Sequence, residues 1–180
     1  MMERIVALIK QDPMRLRALD CVASLNLSSG YIAAGFVRNL VWDNLHDKKV
    51  PTLLNDIDVI YFDSTVLNED HEKDYEMKLF ALMPEVNWQV RNQARMHVRN
   101  GDRPYLNIVD AMSFWPEKET ALAIRRVNNG IYECLSAFGF DSLFQLLVTH
   151  NPKRSKAIFD KRVSSRQWLN LWPKLSIIKE

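Results

Sequence analysis

The sequence predicts an α+β fold, in which a small mixed β-sheet is flanked by helices. Helical and extended segments alternate along the 180 residues, and the strongest strand signal is the β-branched and aromatic run at 56–63. Hydrophobic residues make up 47% and charged residues 26% of the chain, as in ordinary globular domains. We expect one domain over 1–180, with N-terminal helices in 1–29, the sheet core in 30–150 and C-terminal helices in 151–180.

The first half of the chain reads as alternating helices and strands. Asp12 followed by Pro13 is typical of a helix start, with a capping residue and then proline at the first helical position. Apolar spacing and turn residues then set the other boundaries. The predicted helices are 2–10, 13–25, 35–46 and 68–83, and the predicted strands are 31–34 and 56–63.

The second half continues this pattern with shorter elements. A strand is predicted at 86–92, followed by a more polar stretch at 93–99 and a helix at 105–115 that ends before Pro116. Asn128, Asn129 and Gly130 predict a turn between two strands of a hairpin. The hairpin strands are 120–127 and 131–137, and the remaining segments are a helix or helical turn at 141–148 and short helices at 153–162 and 164–171.

Composition excludes several classes of function. The net charge of +2 does not favour a protein that coats long nucleic acids or a membrane surface. No run approaches the ~20 apolar residues that span a bilayer, and charges interrupt the N-terminal apolar run, so it is no signal peptide. Cys21 and Cys134 form no metal-binding or redox spacing and fit buried thiols in a reducing compartment. We therefore expect a cytoplasmic protein without a membrane partner.

Two aspartates on the predicted strand are the first candidate site. Asp56 and Asp58 are two residues apart, so strand alternation directs both carboxylates to one face while Ile57 and Val59 face the core. Two carboxylates at short range repel each other unless a cation lies between them. Mg²⁺ (or Mn²⁺) takes one or two carboxylates together with substrate phosphates, which suits phosphoryl or nucleotidyl transfer. The alternative is a solvated strand end.

The segment before these aspartates adds a candidate phosphate site. At 33–39 a short strand turns at Gly35 into a helix, whose first amides are available to a phosphate. Gly35 allows close approach of the backbone, and Arg38 on the first turn is suited to bind a phosphate oxygen. Asn39 follows it and completes the candidate nucleotide-binding set. Taken alone, this segment also fits a plain strand-to-helix turn with a surface arginine.

Together these motifs resemble the nucleotidyltransferase superfamily that includes DNA polymerase β, in which a small residue and glycine open a helix and D-x-D lies on the next strand. The closer resemblance is to a bacterial family of small nucleotidyltransferase-like proteins. It covers about residues 30–173 and rests on the combination of several segments. These segments are AAGFVRNLVWDNLH (33–46), NDIDVIYFD (55–63), NWQVRNQARMH (87–97), FWPEKETALAIR (114–125), AFGFDSLF (137–144) and NPK…WLNLWP (151–173).

The resemblance implies a polymerase β-like fold and roles for particular residues. Gly35 corresponds to the glycine of the helix start, and Asp56 and Asp58 correspond to the metal carboxylates and catalytic residues. The chain departs from the superfamily at Ala34, the first position of the small-residue pair. It also lacks an acid on the neighbouring strand 88–92, where a third carboxylate is expected.

Three residues are candidates for the missing third ligand. Asn92 has an amide oxygen that can coordinate a metal, but it is a poor base. Glu117 and Glu119 lie before the next strand and could supply a carboxylate from elsewhere in the fold.

A dense polar cluster after the strand at 86–92 is the last candidate for the nucleotide site. Asn92, Gln93, Arg95 and His97 follow the strand end, where functional groups often lie. We expect Asn92 and Arg95 to contact the nucleotide, with Arg95 on the triphosphate. The alternative is a loop that is held by its own side-chain hydrogen bonds.

The C-terminal third is locally basic, and its charges fit either a solvated helix face or a surface that faces phosphate. The basic residues are Lys153, Arg154, Lys156, Lys161, Arg162 and Arg166.

Three hypotheses follow for the function of the whole chain. The first is an Mg²⁺-dependent enzyme that transfers a nucleoside monophosphate from a nucleoside triphosphate to an unknown acceptor. The second is an inactive nucleotide- or partner-binding module on the same fold, and the third is an interaction protein that uses an exposed patch around Trp168 and Trp172.

Overall fold

The computed structural model describes residues 1–66, 68–127 and 130–179. Within these ranges, no helix has the length and apolar character required to cross a membrane. The helices are α1 (Met2–Lys10), α2 (Pro13–Ser24), α3 (Gly35–Leu45), α4 (Asp70–Leu82), α5 (Gln93–Asn100), α6 (Ile108–Met112), α7 (Asp141–Phe144), α8 (Lys156–Arg166) and α9 (Trp168–Leu171). The strands are β1 (Tyr31–Ala33), β2 (Ile57–Tyr61), β3 (Trp88–Asn92), β4 (Leu122–Val127), β5 (Ile131–Ser136), β6 (Leu147–Thr149) and β7 (Ser176–Ile178).

A five-stranded mixed sheet, in the order β3-β2-β1-β4-β5, forms the centre of the fold. Strands β2 and β3 are parallel, whereas β1 runs antiparallel to both β2 and β4, and β4 and β5 form the predicted hairpin. The predicted turn residues Asn128 and Asn129 lie outside the described ranges. This architecture confirms the predicted α+β class with a small mixed sheet.

Alternation along the strands divides the sheet into two faces. Ile57 and Val59 of β2 belong to the larger core, together with Trp88 and Val90 of β3. Ile60 of β2 belongs to a smaller cluster on the other face, against α6. Because side chains alternate, Asp58 lies on the same face as Ile60. The candidate metal ligand Asp58 therefore lies on the face of the sheet that carries the smaller cluster.

The outer edge of β3 is closed by side chains rather than by another strand. Glu76 of α4 accepts a hydrogen bond from the Val90 amide at 2.8 Å, and Glu72 accepts one from the Asn92 amide at 2.8 Å. Glu72 is only 2% exposed. These bonds satisfy amides that would otherwise offer an open edge for strand pairing.

The C-terminal helices are fixed to α3 by tryptophan packing. The ring centroids of Trp42 and Trp172 are 5.2 Å apart, and those of Trp42 and Trp168 are 5.9 Å apart, both in edge-on contact. The indole Nε1 of Trp172 also donates to Asp43 Oδ1 at 2.7 Å. Trp168 is 3% and Trp172 is 1% exposed, so the two tryptophans themselves contribute almost nothing to the exposed apolar patch that the interaction hypothesis requires near them.

Most predicted elements are confirmed, and four predictions are wrong in part. The break predicted between helices 153–162 and 164–171 lies instead at Gln167, because Lys156–Arg166 is one helix and Gln167 adopts φ 50°. The stretch 93–99 is a helix, because the Asn92 side chain caps it at the Ala94 amide and Gly101 ends it with φ 69°. The helix predicted at 105–115 spans only Ile108–Met112, because Asn107 caps it. The helix predicted at 141–148 stops at Phe144, because Leu147–Thr149 pairs with Ser176–Ile178 as a second, parallel sheet.

The residue before α3 has an unusual backbone. Ala34 adopts φ 56° and ψ −122°, a conformation that favours glycine, and its carbonyl accepts the Arg38 amide at 3.1 Å. Its neighbour Ala33 lies in regular strand β1, and both alanines are buried in the smaller cluster. The replacement of glycine by Ala34 therefore introduces backbone strain, of about 1–2 kcal/mol for a non-glycine residue at positive φ.

We predict opposite responses of these two alanines to glycine. Ala33→Gly should lower the free energy of unfolding by roughly 1–2 kcal/mol, because it adds chain entropy and removes a buried methyl group. Ala34→Gly should leave it unchanged or raise it, because relief of strain offsets the same losses. Urea unfolding of both variants is the measurement. Equal destabilisation by the two substitutions would contradict the strain at Ala34.

Candidate functional site

A cavity of about 540 Å³ opens beside the smaller face of the sheet. Its volume lies within the usual range for small-molecule sites. One wall is the start of α3, a second is formed by β2 and β3, a third by α5, and a fourth by α8 and α9. The lining includes Gly35, Arg38, Asn39, Asp56, Asp58, Gln89, Arg91, Gln93, Met96, Arg99, Phe114, Trp115, Arg162, Arg166, Trp168 and Trp172.

The two predicted carboxylates lie together in this cavity. Asp56 directly precedes β2, Asp58 lies within it, and both are half-buried. Burial and the neighbouring Asp56 carboxylate raise the pKa of Asp58 to about 6, although Arg166, Arg38 and Arg91 act against this rise. Asp58 makes no hydrogen bond or ion pair to any residue in the described ranges. A desolvated carboxylate beside a second one is a donor set that fits a hard divalent cation, with phosphate oxygens completing its coordination.

The start of α3 meets the cavity without a side-chain cap, because Ala34 offers no acceptor. A Cβ added at Gly35 would lie 3.5 Å from Arg38 Nη2 and 3.5 Å from Asn39 Nδ2, which is ordinary contact. The fold itself therefore tolerates a side chain at Gly35. Its absence keeps space open at a helix start whose free amides suit an anion.

Arg38 carries a buried positive charge that no carboxylate in the described residues neutralises by an ion pair. Its residue exposure is 7%, and its Nη1 and Nη2 donate to Thr120 Oγ1 at 2.7 Å and Asn39 Oδ1 at 2.9 Å. Nε has no hydrogen-bond partner. The guanidinium lies 4.6 Å from the Trp168 ring centroid and 5.2 Å from that of Trp42. Burial lowers the pKa of Arg38 to about 10, so the group remains charged at neutral pH.

Arginines outnumber acids in the lining of the cavity. Among the described lining residues there are six arginines and only two acids, Asp56 and Asp58. Three of the arginines are paired with carboxylates outside the lining: Arg91 with Glu76, Arg154 with Asp102 and Arg162 with Glu117. The other three, Arg38, Arg99 and Arg166, have no ion pair within the described chain. This excess of guanidinium groups favours an anionic ligand with several oxygens.

Sequence reasoning included Gln93 in a candidate nucleotide cluster, but it missed that this segment is a helix that also brings Met96, Arg99 and Asn100 to the cavity. Gln93, Met96 and Asn100 recur at helical spacing and line the cavity together with Arg99. The signal was present, because Asn92 is a good helix cap and Gly101 a good helix end. Phe114 and Trp115 were also not proposed for the site, and they supply a half-buried aromatic section of the lining.

Two of the predicted nucleotide-binding residues are not brought to the cavity. Asn92 shares strand parity with Trp88 and Val90, so it lies on the opposite face from Gln89 and is 0% exposed. Its amide group bonds the backbone of Asp63, Val66 and Ala94.

Arg95 is directed toward α4 instead of the cavity. Its Nε donates to Glu72 Oε1 at 2.7 Å, and its Nη2 donates to Glu69 Oε2 at 3.2 Å. Glu72 is the same buried carboxylate that closes the β3 edge. The structure therefore gives Arg95 a structural partner, whereas Gly35, Arg38, Asn39, Asp56 and Asp58 all line the cavity.

No third carboxylate joins Asp56 and Asp58 within the described residues, which contain no group of three metal-ligating side chains. In the parallel β2–β3 pair, Gln89 lies opposite Asp58 and donates from Nε2 to Asp56 Oδ2 at 3.2 Å. Glu117 is bound to Arg162 at 2.5 Å, and Glu119 accepts the Thr149 amide at 2.7 Å. Both glutamates are engaged elsewhere, and the residue opposite Asp58 on the neighbouring strand is the amide Gln89 and not an acid.

Comparison with protein families identifies the class of the chain. A model of a nucleotidyltransferase family matches residues 20–177. The chain therefore belongs to this nucleotidyltransferase family, and the resemblance inferred from the sequence is confirmed. No curated protein matches the sequence.

Solved structures support the same fold. One neighbour, whose NMR structure is described as revealing a CCA-adding enzyme head domain, has a TM-score of 0.85 and 27% identity and covers 99% of this chain and 96% of its own. Two forms of a tRNA-processing enzyme have TM-scores of 0.50 and 0.51 at 15% and 14% identity. Each covers 91% of this chain, but only 42% and 44% of its own length, and at this identity they show the fold alone.

We predict that Asp58→Asn stabilises the protein without metal at neutral pH. The pKa of Asp58 is raised to about 6, so its stabilising contribution is present below pH ~4 and is lost as pH rises through 6. In EDTA at pH 7.5, the variant should be more stable than wild type by up to about 3 kcal/mol, and the gap should close near pH 4. Urea unfolding at both pH values is the measurement.

Asp63→Asn is the matched control, because Asp63 lies just beyond the other end of β2. The Thr65 hydroxyl and amide lower the pKa of Asp63, so loss of its charge should weaken the fold at pH 7.5. A stability gain at Asp63, or none at Asp58, would contradict the assigned environments.

Proposed function

We propose that this protein binds a nucleoside triphosphate with Mg²⁺ (or Mn²⁺) in the described cavity and transfers the nucleoside monophosphate to an acceptor. One observation carries the proposal. The cavity holds two desolvated charges of opposite sign that form no ion pair with any described residue, the buried guanidinium of Arg38 and the carboxylate of Asp58. A metal–triphosphate complex satisfies both, because its cation meets the carboxylates while its phosphates meet the arginine.

Each group has a distinct role in this proposal. Asp56 and Asp58 hold the metal, which polarises the α-phosphate and the attacking oxygen when it is bound. The Gly35 amide and Arg38 bind phosphate oxygens, and Asn39 holds the Arg38 guanidinium in place through its 2.9 Å bond. In nucleotidyl transfer, most of the rate acceleration comes from positioning the reactants and from stabilising the charge of the transition state. Fixed charges and helix amides can supply both effects.

The acceptor of the proposed transfer has three candidates. The neighbour at 27% identity is described as a CCA-adding enzyme head domain, which makes an RNA 3′ end one candidate. A small molecule and a protein side chain are the others. The net charge of +2 favours a short or small acceptor over a long nucleic acid.

A second candidate function, nucleotide binding without turnover, is favoured by Gln89. An amide at this position accepts no proton, so the neighbouring strand supplies no base for the attacking group. The two candidates share the triphosphate site and differ in chemistry. Release of pyrophosphate from the nucleotide in the presence of acceptor candidates separates them.

The binding step is tested by calorimetric titration of ATP, GTP, CTP and UTP with and without Mg²⁺. We expect at least one nucleotide to bind in a metal-dependent manner, and the Asp56→Asn/Asp58→Asn double variant to lose the metal dependence. Absence of binding of all four nucleotides to the wild-type protein would overturn the proposal.

Titration of a Gly35→Ala variant tests whether the start of α3 binds the phosphates. The variant should fold normally, because a Cβ at Gly35 makes only ordinary contacts and alanine favours helix. It should bind nucleotide at least about tenfold more weakly, because the methyl group occupies space that the phosphate needs. Unchanged affinity in a folded Gly35→Ala variant would exclude the start of α3 from the phosphate site.

A further inference from the structure

Helix α8 presents a stripe of three side chains to the cavity. Ile158, Arg162 and Arg166 are spaced by four residues, so they lie on one helix face, and all three line the cavity. Lys161 on the same helix is exposed and does not line the cavity. The basic C-terminal segment therefore consists of two kinds of charge, one directed to solvent and the other to the site.

The two arginines of this stripe are in different states. Arg162 is bound by two hydrogen bonds, of 2.5 Å and 3.2 Å, to Glu117, which is 0% exposed. Its charge is used to neutralise a buried carboxylate. Arg166 is exposed and makes no hydrogen bond or ion pair with the residues that the structure describes. Arg162 therefore has a structural role, whereas the charge of Arg166 acts on the Asp58 carboxylate in the cavity without forming an ion pair with it.

The end of α8 places Arg166 close in sequence to Trp168, which packs on Arg38 of α3. Gln167 leaves the helix with φ 50° and ψ 33°, and Trp168 directly follows it. The Trp168 ring lies 4.6 Å from the guanidinium carbon of Arg38 and 5.9 Å from the Trp42 ring, measured to ring centroids. Arg166 is thus two residues from the side chain that covers Arg38. The two unpaired guanidinium groups line one cavity, Arg38 buried and Arg166 on the solvent side.

We propose that Arg166 binds the β- and γ-phosphates of the nucleotide, opposite the α3 start. This inference rests on the proposed function, since it assigns a ligand within the same site. The terminal phosphates carry most of the charge of a triphosphate, and they leave together as pyrophosphate toward solvent. An exposed, unpaired guanidinium at the cavity rim fits these groups with two parallel hydrogen bonds.

The test compares Arg166→Ala with Lys161→Ala, which removes the same charge from the same helix away from the cavity. Mg²⁺–ATP affinity is measured by calorimetry, and pyrophosphate is titrated as a competitor of bound ATP. We expect Arg166→Ala to weaken both ligands by about tenfold or more, as for loss of a charge-assisted hydrogen bond, and Lys161→Ala to change them less than about twofold. Both variants should unfold at the wild-type temperature.

The outcomes separate this inference from the function on which it rests. If wild-type protein binds Mg²⁺–ATP and Arg166→Ala binds it equally well, the role of Arg166 is overturned while the nucleotide site stands. A variant that loses ATP affinity but keeps wild-type competition by pyrophosphate also overturns it, because Arg166 would then contact another part of the nucleotide. Where wild-type protein binds another of the four nucleotides instead of ATP, that nucleotide replaces ATP in the same comparison, and absence of binding of all four nucleotides removes both proposals.

Discussion

The buried charge of Arg38 is the interaction on which the rest of the site depends. A guanidinium is expensive to bury without a carboxylate, and hydrogen bonds to Thr120 and Asn39 and the faces of two tryptophans compensate only in part. Arg15 shows the usual solution in the same protein. It is 1% exposed, but it forms an ion pair with Asp12 and donates to the Phe36 carbonyl at 2.8 Å. That Arg38 forms no ion pair with the residues that the structure describes is therefore a property of the site and not of the fold in general.

The alternation of side chains along the strands and the packing of the C-terminal helices on α3 bring the other groups of the site close to Arg38. Asp58 and Gln89 are opposite each other in the β2–β3 pair, so a single face of the sheet carries both. The start of α3 follows β1, which pairs with β2, and this topology positions Gly35 beside the aspartates. Packing of Trp168 and Trp172 on Trp42 then covers the cavity with the end of α8. The tryptophan packing that stabilises the fold thereby also forms the wall of the cavity that consists of α8 and α9.

Local sequence signals predicted much of the fold and the central part of the site. Gly35, Arg38 and Asp58 could be grouped because a helix start and a D-x-D strand have local signatures. Asn92 was misplaced because polarity was considered without strand parity, although Trp88 and Val90 already indicated a buried face. Arg166 and the β6–β7 pair could not be located, because their positions depend on contacts between segments that are distant in the chain. Long-range packing is not encoded in spacing or composition.

The most direct test is thermal unfolding of Arg38→Met with and without Mg²⁺–ATP, beside Arg15→Met. Arg38→Met should be at least as stable as wild type when no ligand is present, because it removes a fully buried charge that forms no ion pair with the described residues. It should show none of the ligand-induced stabilisation of wild type. Arg15→Met should be destabilised, because it leaves Asp12 without its partner. A strongly destabilised Arg38→Met variant that Mg²⁺–ATP still stabilises as much as wild type would contradict the account.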